Sequence, residues 1–239
     1  MSLEYLPPVR RRIGQYNHLR IYKKILLLKS NFEKLNFFLG NLFPEELHDS
    51  KIHVYFEVRL GCRIPDCIIV FRHFGEKLLK TFHCYFFEFK TTFAKSNLFS
   101  IQKNRTQKIQ YLQGLRQLRQ ATDYLQQFVI KNESLCKVNP VICFFRQHGL
   151  KLDFVKTFIA KELQLSSTFL CNLFTKYQND TVKSILSISN PTNFRRACQK
   201  YSNLYRGRYA TTPKLGNSKT SKRKRRNSKK QDFKKLVKN

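Results

Sequence analysis

EVRLGCRIPDCIIVFRHFGEKLLKTFHCYFFEFK, residues 57–90, is the stretch whose reading decides the fold. With IHVYFEV just upstream, its aromatic and β-branched runs predict three strands, at 52–58, 66–72 and 82–90. Turn material at Gly61 and Gly75 separates them, and the last two form a hairpin. Strand side chains alternate, so Glu88 and Lys90 share one face while Phe89 takes the other. Nearer its start the third strand is apolar on both faces, through Cys84 and Phe86 on one and Tyr85 and Phe87 on the other. That predicts a central strand covered from both sides. A Glu and a Lys at the end of such a strand cost several kcal/mol unless they pair or bind a metal.

Outward from this stretch, residues 15–39 predict a helix or a broken helical pair, with Leu19, Tyr22, Leu26, Phe32 and Leu35 at helical spacing before Gly40. A long helix is expected over 102–130, then a strand at 141–146 after Pro140. The order is helix, three strands, helix, strand. Beyond Gly149 helices are expected at 153–163, with Asp153 as N-cap, and at 167–177, entered through Ser166 and Ser167. Two more follow Asn179–Asp180 and Pro191–Thr192. Residues 153–177 thereby look similar to the helix-turn-helix of AraC-type regulators, whose second helix enters the major groove. An ordinary αα-hairpin packed on the core is the competing reading.

The 239 residues carry 46 Lys+Arg against 15 Asp+Glu, a net charge of +31. Residues 214–239 hold twelve basic side chains and one acid, so +20 remains on residues 1–213. Such a field attracts polyanions, with nucleic acid (DNA first, RNA second) ahead of an anionic membrane surface. No apolar run approaches the roughly 20 residues of a spanning helix, and no signal peptide is expected. Seven cysteines scattered through apolar surroundings read as reduced, mostly buried thiols. Residues 211–239 have almost no apolar content and are expected to be disordered. Within them, Lys222, Arg223, Lys224, Arg225 and Arg226 form a nuclear-import pattern able to contact nucleic acid.

The chemistry gathers between Glu57 and Lys90. Two carboxylates, Asp66 and Glu88, can hold Mg²⁺ or Mn²⁺ for phosphodiester hydrolysis, and Lys90 can orient water or stabilise the phosphorane. Glu57 is a third candidate ligand or a plain ion pair with Arg59 or Arg63. Arg59 and Arg63 are candidate phosphate contacts, and Arg63 could instead neutralise Asp66.

Pro65-Asp66 followed by Glu88-x-Lys90 resembles the PD-(D/E)xK nuclease signature, and the inferred element order is that superfamily's core. Gln107-x-x-x-Tyr111 resembles the added motif of the RecB- and Cas4-like branch; the spacing sets both side chains on one helical face, toward the metal site or on the polar flank. More narrowly, Glu57…Gly61-x-Arg63-x-Pro65-Asp66…Glu88-Phe89-Lys90-Thr91 looks like the herpesvirus core family of basic nuclear and nucleolar proteins. The resemblance implies an α/β, restriction-endonuclease-like (αβββαβ) core over residues 1–150, followed by a helical extension (151–210) and a disordered basic tail (211–239). It implies Asp66, Glu88, Lys90, Gln107 and Tyr111 as the catalytic set and Glu57, Asp66 and Glu88 as metal ligands. It further implies residence in the host nucleus and nucleolus, with the virion as a further location. Roles in dispersal of nucleolar proteins, nuclear egress and cell-cycle arrest follow from it too. Two functions stay open: a metal-dependent nuclease, or a non-catalytic nuclear scaffold that binds nucleic acid or host nucleolar proteins on a degenerate nuclease fold.

Overall fold

The computed structural model describes residues 7–72, 81–131 and 133–208. Helices α1 (Pro8–Leu28) and α2 (Phe32–Phe38) come first, then a 3₁₀ turn at Glu45–Leu47 and strands β1 (Lys51–Phe56), β2 (Cys67–Arg72) and β3 (Thr81–Thr92). Helices α3 (Leu98–Lys103) and α4 (Arg105–Tyr124) lead through a 3₁₀ turn at Leu125–Phe128 to β4 (Leu135–Arg146). Strands β5 (Leu152–Thr157) and β6 (Lys161–Gln164) precede α5 (Ser167–Tyr177), α6 (Asp180–Ser187) and α7 (Pro191–Arg208). The fold is mixed α/β, one six-stranded mixed sheet with helices on both faces.

The sheet runs β1-β2-β3-β4, antiparallel except for the parallel β3–β4 pair. A parallel pair needs a crossover, and α3 and α4 supply it. Alternation on β3 sorts the core. Tyr85, Phe87 and Phe89 meet Leu19, Tyr22 and Ile25 of α1, with Val182 and Ile185 of α6 and Cys198 of α7 in the same layer. Cys84 and Phe86 instead meet Leu118 and Ala121 of α4, and Leu170 and Phe174 of α5. The CIIVF run of β2 is wholly buried, as a strand with a helical layer on each side requires.

The expected long helix 102–130 is broken at Asn104. Its backbone N–H closes α3 on the Ser100 carbonyl, while its side-chain oxygen accepts from the Thr106 and Gln107 amides and starts α4. An asparagine that bonds its own backbone this way interrupts a helix.

The expected helix at 153–163 is overturned: this segment forms β5 and β6. Both lie on the free edge of β4, β6 against Leu135–Val138 and β5 against Val141–Phe145. Val155 packs on the α1 side and Phe154 on the α4 side, the period of a strand. An unpaired β4 edge would leave a row of backbone donors and acceptors without partners. Asp153 is no N-cap; its carboxylate accepts two bonds from the Arg146 guanidinium, at 3.2 and 3.0 Å. The helix-turn-helix reading goes with that helix. Helix α5 forms where expected, capped by Ser166, whose hydroxyl accepts from Phe169 N. The tail, including Lys222–Arg226, lies outside the described residues. No helix among the described residues is long and apolar enough to cross a membrane. Six cysteines are buried free thiols, and Cys62 is exposed.

Candidate active site

Asp66 stands at the entrance to β2, where backbone pairing fixes it: its N–H donates to the Phe87 carbonyl and its carbonyl accepts from Glu57 N–H. This lays its side chain along β3. Oδ2 accepts from the Phe89 amide at 2.7 Å, Oδ1 accepts from the Tyr22 hydroxyl at 3.1 Å, and His18 Nδ1 lies 3.4 Å from Oδ1. Burial favours the neutral acid, yet charge and hydrogen bonding from His18, the Lys90 charge and the Phe89 amide together hold the Asp66 carboxyl below its usual range. Burial likewise works against a charged His18, and Asp66 reverses it, so the imidazole holds its proton more tightly than usual.

Glu88 and Lys90 share the α4-facing side of β3, both buried. Lys90 Nζ donates to Glu88 Oε1 at 2.6 Å, while Glu88 Oε2 is buried with no hydrogen-bond partner. Burial, then the nearby Asp66 charge, pushes the Glu88 carboxyl up to about 7. Desolvation would lower Lys90, but Glu88 and Asp66 outweigh it and keep its ammonium charged. Helix α4 comes this close because Gly114 faces the pair: a Cβ there would sit 3.1 Å from Glu88 Cγ.

Above the pair lies a cleft of about 740 Å³. His18 and Lys90 reach its lining, with the two carboxylates just behind them. Arg10, Arg11, Arg63 and Arg116 give it a cationic wall, and among the described residues no Asp or Glu lines it. One turn after another of α4 adds an amide: Gln107, Gln110, Gln113 and Gln117.

The structure thus draws together Asp66, from the start of β2, and Glu88 and Lys90, from late in β3, at one end of the antiparallel β2–β3 pair. Gln107 joins them at the cleft, its amide donating to Ser96 Oγ at 3.1 Å. Tyr111, one turn on, does not line the cleft and packs against Phe158 instead. Arg63 lines it and bonds Gln120 through Nε, whereas Arg59 is exposed outside it. Glu57 sits at φ +48, a left-handed conformation that turns its carboxylate toward the C-terminal helices. There it accepts from Asn179 Nδ2 at 2.8 Å and Tyr201 Oη at 2.9 Å. Burial first, and Asp66 second, raise its affinity for a proton.

Among the described residues no group of three or more His, Cys, Asp or Glu side chains is arranged to hold a metal ion. A hard cation that retains its waters needs only one or two carboxylates. The orphaned Glu88 Oε2 beside Asp66 fits that smaller demand, though Lys90 stands on the other Glu88 oxygen. Sequence reasoning missed His18, Tyr22 and the amides beyond Gln107. The signals were present: His18 and Tyr22 are four apart on α1, and the glutamines of α4 recur at intervals of three and four.

Residues 4–185 match the family model for the herpes virus proteins UL24 and UL76. The chain is 53% identical, over all of its 239 residues and 95% of the relative, to the Protein UL24 homolog of Human herpesvirus 6B (strain Z29). It is 34% identical over 192 residues to that of Epstein-Barr virus (strain B95-8), covering 78% of this chain and 72% of the other. No solved structure matches.

Proposed function

We propose, for a chain that belongs to the family of herpes virus proteins UL24 and UL76, a magnesium- or manganese-dependent nuclease activity on a PD-(D/E)xK, restriction-endonuclease-like core. The observation that carries this reading is the convergence of Asp66, Glu88 and Lys90 behind a cationic cleft that no acid among the described residues lines. The β1-β2-β3-β4 order with a parallel final pair supports the same reading.

Asp66 and Glu88 are the residues that would hold the ion. The chemistry it supplies when bound is Lewis-acid polarisation of the scissile phosphate. Lys90 keeps its proton under the influence of both carboxylates, so it offers positive charge and a hydrogen bond to the phosphorane rather than acting as a base. His18, its proton held by Asp66, is a second donor at the cleft. The arginines bind flanking phosphates, and Gln107 is placed to orient what enters.

The test is cleavage of single-stranded and duplex DNA by purified protein with Mg²⁺ or Mn²⁺. Asp66→Ala, Glu88→Ala and Lys90→Ala should each lower the rate at least about 100-fold, the scale on which preorganised charge acts. Cleavage by these variants at the parental rate would overturn the assignment.

A second reading has one observation in its favour. The 2.6 Å Lys90–Glu88 pair occupies one oxygen of a would-be ligand, as in a non-catalytic scaffold that binds nucleic acid or host nucleolar proteins. Retention of DNA binding without cleavage under any divalent ion would select it. Either way the proposed setting is the host nucleus and nucleolus, with Lys222–Arg226 as the address and nucleolar dispersal, nuclear egress and cell-cycle arrest as the processes served.

A further inference from the structure

The cleft is over-equipped for phosphate alone. Gln107 and Gln110 are each more than nine-tenths buried in its lining, and the Oε1 of each has no hydrogen-bond partner. A buried acceptor without a donor is costly. Phosphate oxygens, being acceptors only, cannot relieve it. The exocyclic amino groups of adenine, cytosine and guanine can. Phe93 lines the cleft with 54% of its surface exposed, and Phe99, six residues on in α3, is outside the lining, 62% exposed, with the Lys103 ammonium 4.1 Å from its ring centre. Large aromatic faces open to water beside cations are what unpaired bases stack on. In a duplex the base faces are stacked on one another, so the phenylalanines would not be engaged; the amides could still meet amino groups in the major groove, and the choice of strand rests on the stacking.

We propose that the cleft takes single-stranded nucleic acid, with bases stacked on Phe93 and Phe99, base edges met by Gln107 and Gln110, and the backbone carried by the cleft arginines. Charge complementarity favours a polyanion as the occupant, since among the described residues the lining holds arginines and Lys90 and no acid. The proposal deepens the nuclease reading, resting on it only for the choice of nucleic acid among polyanions.

The experiment is fluorescence anisotropy with the full chain in chelator, where nothing is cut. It compares an unpaired oligonucleotide of about twelve nucleotides, within the usual site size, with a hairpin duplex of equal composition. The single strand should bind about tenfold more tightly. Phe93→Ala and Phe99→Ala, both at exposed positions, should each weaken it by about fivefold or more, the low end of a lost base stack. Duplex binding should stay unchanged, and the basic tail contributes equally to every variant. Equal affinity for both strand states, or phenylalanine variants without effect, would overturn the proposal. So would poly-glutamate competing as well as the oligonucleotide, because the cleft would then be a general polyanion site. The two readings fail separately: phenylalanine-dependent single-strand binding without cleavage under Mg²⁺ sinks the nuclease and spares this site. Cleavage of intact duplex as fast as single strands does the reverse.

Discussion

Glu88 is held in conflict: Lys90 stabilises its charge on one oxygen while burial and Asp66 oppose it. Its carboxyl, ordinarily near 4.5, is pushed up to about 7, so between those values the folded chain keeps a proton that the unfolded chain has released. Stability contributed by this group therefore falls as pH rises through that window. We expect urea denaturation to show the parent losing stability between pH 5 and pH 7.5 by on the order of 2 kcal/mol relative to Glu88→Gln. Equal pH profiles for the two proteins would refute this account of Glu88. In the proposed nuclease, proton and cation would compete for the same carboxylate, so magnesium affinity measured by calorimetry should drop as pH falls below about 7. These residues were legible in the sequence because strand alternation alone puts Glu88 and Lys90 on one face. His18 was not, since a histidine on a helix looks ordinary until another part of the chain delivers Asp66 to it.

At the scale of elements, the three strands and the flanking helices were readable from period and turn residues. The error fell where local and non-local forces disagree. Residues 152–164 have a spacing that fits either period over so short a run, and only the open edge of β4 decides for strand. The turn between β1 and β2 shows the opposite case, a local requirement visible in the sequence as Gly61. Its φ is +59, and a Cβ there would lie 2.8 Å from Tyr124 Cδ2 at the end of α4. Gly61→Ala should cost about 2 kcal/mol from backbone strain alone, measured by thermal or urea unfolding, and more if Tyr124 cannot shift. A variant as stable as the parent would mean that this turn relaxes freely.

For the whole molecule, the C-terminal segments are built into the same core as strands β1 to β4. β5 and β6 complete the edge of β4, and α6 and α7 share an apolar layer with α1. Tyr201 and Asn179 reach back to Glu57, beside Asp66. A chain ending at residue 150 should therefore fail to fold cooperatively, giving reduced circular dichroism and no sharp melting transition. A truncated chain with a cooperative melt would show that the first 150 residues are self-sufficient. The sequence did not disclose this dependence, because the partners of α1 lie more than 150 residues away and no local pattern marks them.

Of the seven cysteines, the one that solvent reaches is Cys62, next in sequence to the cleft residue Arg63. A maleimide dye offered to the unmodified protein should attach there while the six interior sulfurs remain silent. The molecule thus carries its own labelling handle at the rim of the cleft, where emission would report the arrival of a ligand without any engineered residue.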